Sequence, residues 1–474
     1  MVTRMLPLTR RTLLKAAAVG GAYASGVALA PGITRALAGA TTDPLALEAY
    51  ELTAMIDGKA PSKGVMSYRT SASPTDVAPP VLRARRGEPF SVRFKNLLQE
   101  PTTVHWHGLR IANAMDGVPF LTQPYVYPGD GFDYTFTPPD AGTFWYHPHC
   151  NTLAQIGRGL AGVLVVEDAN DPVFDGEIAL NLRDWRLGGN SQFIAQFKAR
   201  DAAKAGTFGT VRTANWQVEP SYDAPAGGLV RLRLLASDVT RIFNLRLADA
   251  EAVIVAIDGQ PVPSIMPLDT AVVSPGQRLD LVLRMPDDEG AAVAIEDIRP
   301  STPKTVARLR AVGASLKRSL GDVPPLTANP QAEPDLSAAT EVPLILSATA
   351  EQAAKDSICG SLGYSFWAIN KVPYPGDSAD PMAPLAEMKL GKTYVFNLEN
   401  VTPHAHPIHL HGMNFKVISS STRQVLPLVS DTYLVLPDEK VQLAVVADNP
   451  GDWVLHCHII EHQKTGMTSF VRVV

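Results

Sequence analysis

Histidine is the residue whose placement could do chemistry in this chain. All eleven histidines lie within residues 105–149 or 404–462 of a 474-residue sequence. Eight of them form four His-x-His pairs: His105/His107, His147/His149, His409/His411 and His456/His458. A β-strand places residues i and i+2 on one face, so each pair aims two imidazoles at one region while the residue between points away. Eight neutral imidazoles converging from two stretches of chain suit copper, zinc or iron. Cys457 stands between His456 and His458, which turns its sulfur to the opposite face of the same strand. There it could meet His406 and His462, with Met467 ten residues beyond the cysteine. Two imidazoles, one thiolate and a weak thioether are the ligand set of a blue-copper electron-transfer site. Zinc would accept His and Cys, but it has no use for a distant thioether and does not change oxidation state. Redox copper fits better. With Cys457 on one copper and its immediate neighbours on others, the backbone offers single electrons a short covalent route to a cluster. Four-electron reduction of dioxygen to water is the reaction such wiring would suit.

Short strands are the elements that must position these side chains. From residue 81 to 166 the chain reads as alternating runs broken by turns, among them Phe90-Ser91-Val92-Arg93-Phe94, Tyr127-Pro128-Gly129-Asp130 and Phe132-Asp133-Tyr134-Thr135-Phe136. The same texture recurs at 229–298 and 393–474, and helical periodicity is weak nearly everywhere. Pro128 precedes His147 by 19 residues and Pro437 precedes His456 by 19, with Gly142 and Gly451 each five residues before their histidine. His105-Trp106-His107-Gly108 mirrors His409-Leu410-His411-Gly412. These are read as two copies of one β module. Pro275-Gly276-Gln277-Arg278-Leu279-Asp280-Leu281 repeats the strand entry a third time, and 19 residues past Pro275 stands Ala294 where the other copies have histidine. The middle unit is therefore expected to space and shape, not to bind this metal set.

Composition agrees with a folded, many-stranded protein: 46% of residues are hydrophobic, 19% are charged and mean hydropathy is +0.02. At the N-terminus, Thr9-Arg10-Arg11-Thr12-Leu13-Leu14-Lys15 leads into a small-residue apolar run at 16–30 and then Ala36-Leu37-Ala38. Paired arginines, a weakly hydrophobic run and an A-x-A exit read as a twin-arginine export signal over 1–38. The run falls short of the roughly 20 apolar residues that span a bilayer, and no later segment is long and apolar enough, so no stable membrane span is expected. The twin-arginine machinery exports proteins already folded, which suits a chain that takes up metal before leaving the cytoplasm for the periplasm or beyond. Cleavage would remove five basic groups (Arg4, Arg10, Arg11, Lys15 and Arg35) and no acidic one from totals of 42 and 47, leaving a formal charge of −10. That surface argues against nucleic acid as a partner. The mature length divides into units at 39–170, 171–317 and 343–474, with a Pro-, Ala- and acid-rich linker at 318–342.

The motifs His105-Trp106-His107-Gly108, Trp145-Tyr146-His147-Pro148-His149, His406-Pro407-Ile408-His409-Leu410-His411-Gly412 and His456-Cys457-His458-Ile459-Ile460-Glu461-His462 through Gly466-Met467 resemble the four copper motifs of the multicopper oxidases. The likeness is to bacterial three-domain laccase-like and copper-resistance oxidases, and it extends over nearly the whole mature chain. It implies an all-β fold of three cupredoxin-like Greek-key domains, with a cluster between the first and third, and four copper ions. By that resemblance His406, Cys457, His462 and axial Met467 hold the type 1 copper. His105 and His409 hold the type 2 copper. His107, His147 and His458 hold one type 3 copper, and His149, His411 and His456 the other. His404 is left over as a loop residue or a supporting neighbour.

Asp116, in Met115-Asp116-Gly117, resembles the family's acidic group beside the trinuclear cluster, where a carboxylate could relay protons to oxygen; as part of an Asp-Gly pair it also suits a turn. Gln463 departs from relatives with glutamate after the second type 1 histidine, and Glu461 is only a weak substitute for it. In an oxidising periplasm Cys150 and Cys359 are candidates to pair across domains. The expected activity is removal of single electrons from phenols or aromatic amines, with dioxygen as acceptor. A cuprous or ferrous metallo-oxidase is the alternative, disfavoured because the eleven methionines form no cluster in sequence. A copper-free periplasmic scaffold is the reading from another class, and it fits poorly with a full ligand set.

Overall fold

The computed structural model describes residues 35–37 (backbone only), 43–349, 359, 361–376 and 382–474. The expected export signal falls outside the described residues except for a short strand, Arg35–Leu37, which pairs in parallel with Val81–Arg85. Among the described residues no helix is long and apolar enough to cross a membrane.

Strands build six sheets that stack in three pairs, one pair for each copy of the repeat. The fold is all-β, with three cupredoxin-like sandwiches. In the first, the sheet Pro61–Arg69, Leu45–Met55, Phe90–Asn96, Gly131–Phe136 covers one containing Val81–Arg85, Gly162–Glu167, Gly142–His147 and His105–His107. Alternate residues of Phe90–Asn96 are buried, as the alternation predicted, and Phe90, Val92 and Phe94 enter a core with Tyr68, Trp106 and Tyr146. The third sandwich repeats the plan: Thr340–Ala348, Thr393–Asn400 and Lys440–Val446 form one layer, and Thr468–Val473, Gly451–Cys457, His406–Leu410 and Thr432–Val435 the other. Its first strand starts at Thr340, inside the stretch read as linker. The rest of that stretch is held by all three sandwiches, through Arg318 to Asp175, Asn329 to Ala141 and Gln260, and Gln331 to Asn414.

The middle sandwich has the same layers with one shift. Its strand Ala292–Asp297 is the counterpart of Gly142–His147 and Gly451–Cys457, but the turn before it, 285–291, is longer than 447–450 in the third. Ala294 therefore lies early in the strand, opposite Ala248 and Arg308, and is not the positional equivalent of His147 and His456. The strand's far end, where the other two carry histidine, is Asp297 opposite Leu245. A constant spacing from proline misreads the register because a turn can lengthen without disturbing the strands.

Candidate metal centre

Each histidine pair sits where two antiparallel strands meet at a sandwich edge. His105 pairs with His147 in the first module, and His409 with His456 in the third. Period-2 alternation then sorts the third module's side chains. His409, His411, His456 and His458 face the first module, while His406 and Cys457 face the third module's own core. The short helix Ile460–Lys464 turns the chain so that His462 comes back to that core face.

At the core face Cys457 Sγ lies 3.6 Å from Nδ1 of both His406 and His462, and those two nitrogens are 3.0 Å apart. Met467 is buried in the same core, and its carbonyl accepts the Cys457 N–H at 3.0 Å. Burial pushes the Cys457 thiol up, because a buried thiolate needs a cation beside it.

On the other face three groups of imidazoles have ligand atoms within 4.8 Å of one another: His105, His107 and His409; His107, His147 and His458; and His149, His411 and His456. Oxygen atoms fix many of their Nδ1 atoms. Nδ1 of His105 meets the Asp116 carbonyl at 2.7 Å, that of His147 the Pro148 carbonyl at 2.9 Å, that of His409 the Asp431 carbonyl at 2.9 Å, and that of His456 the Cys457 carbonyl at 2.9 Å. Such bonds set the tautomer and leave Nε2 free to bind metal. His105 Nε2, His147 Nε2, His409 Nε2, His107 Nδ1 and both ring nitrogens of His458 are buried with no hydrogen-bond partner among the described residues. Each orphaned polar atom costs about 1–3 kcal/mol, a large sum against a net stability of about 5–15 kcal/mol. Metal ions resolve that cost, so the donor set fits copper. Burial also holds His107, His147, His149, His406, His409, His411 and His458 below the ordinary histidine range, and His456 and His462 at about 3. Neighbouring imidazoles push most of them the same way, so all are neutral, which is the ligating form.

Asp116 joins this assembly directly. Its Oδ2 is 2.9 Å from His411 Nδ1 and its Oδ1 3.3 Å from His105 Nδ1, so one carboxylate bridges the first and third modules. Gly117 holds the turn behind it at φ +84°, where a Cβ would overlap the Val104 carbonyl. Gln463 reaches toward His149, with its Nε2 3.5 Å from His149 Nε2 and its Oε1 3.4 Å from Thr152 Oγ1. Glu461 turns away from the imidazoles to the middle module, accepting from Thr207 and pairing with Arg186. Cys150 and Cys359 form a disulfide. His404 meets Trp367 edge-on with ring centres 5.9 Å apart.

Two residues escaped the sequence reading. Asp431 is buried with Oδ1 3.3 Å from both His107 Nε2 and His409 Nδ1, a second carboxylate against the cluster. Arg278 of the middle module forks onto Asp431 at 2.9 and 2.5 Å. A Cβ on Gly276 would come 2.9 Å from His458 and 3.2 Å from His107, so the middle module presses its turn against the histidines although it supplies none. The available signal was charge leading into an apolar run, with Arg278 and Asp280 set just before Leu281-Val282-Leu283 in the strand Arg278–Arg284.

Residues 63–171 and 343–474 each match a multicopper oxidase family profile. The chain is 38% identical to a multicopper oxidase of Pseudomonas thermotolerans of known structure, with a TM-score of 0.81, covering 92% of this chain and 100% of that one. It is 29% identical to the multicopper oxidase MmcO of Mycobacterium tuberculosis, over 82% of this chain and 80% of that protein. Against Laccase-2 of Fomitopsis schrenkii the identity is 28%, over 82% of both. This chain belongs to the multicopper oxidase family, and it is an oxidase that uses oxygen.

Proposed function

We propose that the protein is a laccase-like oxidase, exported by the twin-arginine route, that takes single electrons from phenols or aromatic amines and reduces dioxygen to water. The observation that carries this reading is the division of one strand end, with Cys457 on the core face and His456 and His458 on the other. His406, Cys457, His462 and Met467 would hold the type 1 copper. His105 and His409 would hold the type 2 copper, His107, His147 and His458 one type 3 copper, and His149, His411 and His456 the other. Bound copper would supply reversible one-electron chemistry at the first set and oxygen reduction at the second.

The protein's own groups do the rest. The peptide units joining Cys457 to His456 and His458 give the shortest covalent link between the two sets. Asp116 is placed to hold a proton at its carboxylate oxygens beside His105 and His411. Gln463 cannot ionise and Asp431 is tied up by the Arg278 guanidinium, so Asp116 is the carboxyl group we assign to proton delivery. A metallo-oxidase acting on cuprous or ferrous ions is the second reading. The test is steady-state oxygen consumption with a phenol, Cu(I) and Fe(II) as alternative donors, alongside copper analysis. About four coppers per chain and fastest turnover of the phenol are expected; preference for a metal ion would replace this reading with the second, and far fewer coppers would end both.

A further inference from the structure

Neither imidazole beside Cys457 presents a nitrogen to solvent. His462 Nε2 lies 2.8 Å from the Lys204 carbonyl, His406 Nε2 lies 2.8 Å from Thr402 Oγ1, and both residues are fully buried. Lys204 belongs to a strap of the middle module, residues 198–208, that begins on the short helix Ala199–Ala202. The strap is tied down at both ends. Trp367 Nε1 donates to the Ala202 carbonyl at 2.8 Å, and Thr207 donates from its backbone N–H and its hydroxyl to Glu461. An electron donor cannot rest against either histidine without displacing these contacts, so it needs a berth beside them.

Such a berth opens next to the strap as a cavity of about 320 Å³ between the middle and third modules. That volume is within the range of small-molecule sites. Phe208, Ile242, Val272, Leu434, Leu436 and Ile459 make its wall apolar. Part of its lining adjoins the residues proposed to hold the type 1 copper, since Ala405 precedes His406 and Ile459 follows Cys457 by two residues. His404 is also in the lining, and its ring contact runs on through Trp367, whose ring centre is 4.5 Å from that of His462.

Charge selects the occupant. Arg299 lines the cavity, no carboxylate or thioether does, and Arg299 has no acidic partner among the described residues. A cuprous or ferrous ion would find a single imidazole, His404, and an unpaired cation, Arg299, in this lining, whereas a planar apolar ring with an anionic end complements both the apolar wall and the charge. We propose that this cavity binds the electron donor, and that the donor class it favours is a phenol or aromatic amine that carries a carboxylate, its ring against the apolar wall and its anionic group at Arg299. The role of the bound molecule as electron donor rests on the oxidase reading above; the binding itself does not.

The test separates the two. The copper-loaded protein is titrated calorimetrically with 3,5-dimethoxybenzoate, which lacks an oxidisable phenol, and with the corresponding primary amide. The carboxylate is expected to bind about tenfold more tightly than the amide, Arg299→Glu to erase that preference, and Val272→Trp to weaken both ligands by filling the cavity. Equal binding of the two ligands by the unaltered protein, an intact preference in the Arg299 variant, or undiminished binding in the Val272 variant overturns the site. Binding in the expected pattern by a protein that consumes no oxygen with any donor would keep the site and remove the oxidase reading. Rapid oxygen consumption by a protein that binds neither ligand would do the reverse.

Discussion

The third and middle modules share a plan and differ at one corner. In the third, the edge formed by His406–Leu410 and Gly451–Cys457 buries histidines on one face and a cysteine with two histidines on the other. In the middle, the corresponding strands Phe243–Ala248 and Ala292–Asp297 carry Leu245 opposite Asp297, whose carboxylate accepts backbone N–H groups of Asn244 and Arg299. The sandwich core is apolar in both, so the fold does not depend on what fills that corner. The middle module acts on the centre from outside instead. Arg278 and Gly276 brace Asp431, His107 and His458, and the strap at 198–208 covers His462. A module without histidines can still determine how the clustered histidines stand and what reaches them.

The largest effect should come from the third module's own corner. Cys457→Ser replaces the soft thiolate with a hydroxyl that binds copper poorly. The expected result is loss of the blue absorption and of all measurable turnover, with circular dichroism unchanged and roughly three of about four coppers kept. Residual oxidase activity near the original rate would break the idea that this corner is the entry point for electrons.

The next effect tests the middle module's reach. Arg278→Met leaves Asp431 and Asp258 buried without their shared cation. Removing one partner from a buried ion pair costs about 3–5 kcal/mol. A matching fall in stability to urea is expected, together with loss of copper from the eight-histidine set, because Asp431 is no longer held against His409. Unaltered copper content and stability would show that the middle module is only a spacer.

How much of this was legible in the sequence follows the same division. Histidines that recur in a repeat announce themselves, and the structure brings together every histidine group that the resemblance implied, with Asp116 beside them. Alternation in Phe90–Asn96 gave its buried face correctly. Asp431 carries no spacing signal, and the charges of Arg278 and Asp280 in one strand mark a polar spot without saying what it faces; their meaning depends on two modules meeting. Ala294 was misplaced because register depends on turn length, which a fixed spacing ignores. The covered His462 edge could not be read either, since the strap that covers it lies more than 250 residues earlier in the chain.

Asp116→Asn sharpens the contrast at the seam between the first and third modules. Asparagine keeps the shape and one acceptor oxygen but cannot carry a proton. Reoxidation of the reduced enzyme by oxygen should slow about a hundredfold in stopped-flow measurements, while reduction by the donor slows far less. Equal rates for both half-reactions in the variant and the parent would remove Asp116 from proton delivery.

The smallest effect sets the two modules against each other in pH. In the middle module Asp184 is buried and next to Asp238, and both features push its carboxyl up to about 7. The unfolded value is near 3.9, so between the two values the folded protein holds the extra proton. The stability this group contributes is complete below about pH 4 and is lost as pH rises through 7. In the third module the depressed histidines His456 and His462, at about 3, act with the opposite sign. Unfolded histidine takes up a proton near pH 6.5, so the metal-free third module loses stability as pH falls from there toward 3. Asp184→Asn should therefore gain on the parent as pH rises from 5 to 7, by up to about 1.4 kcal/mol per pH unit, in denaturant titrations of the metal-free protein. A stability difference that stays flat across that interval would mean that Asp184 is already ionised in the fold and that the two modules do not respond oppositely to acid.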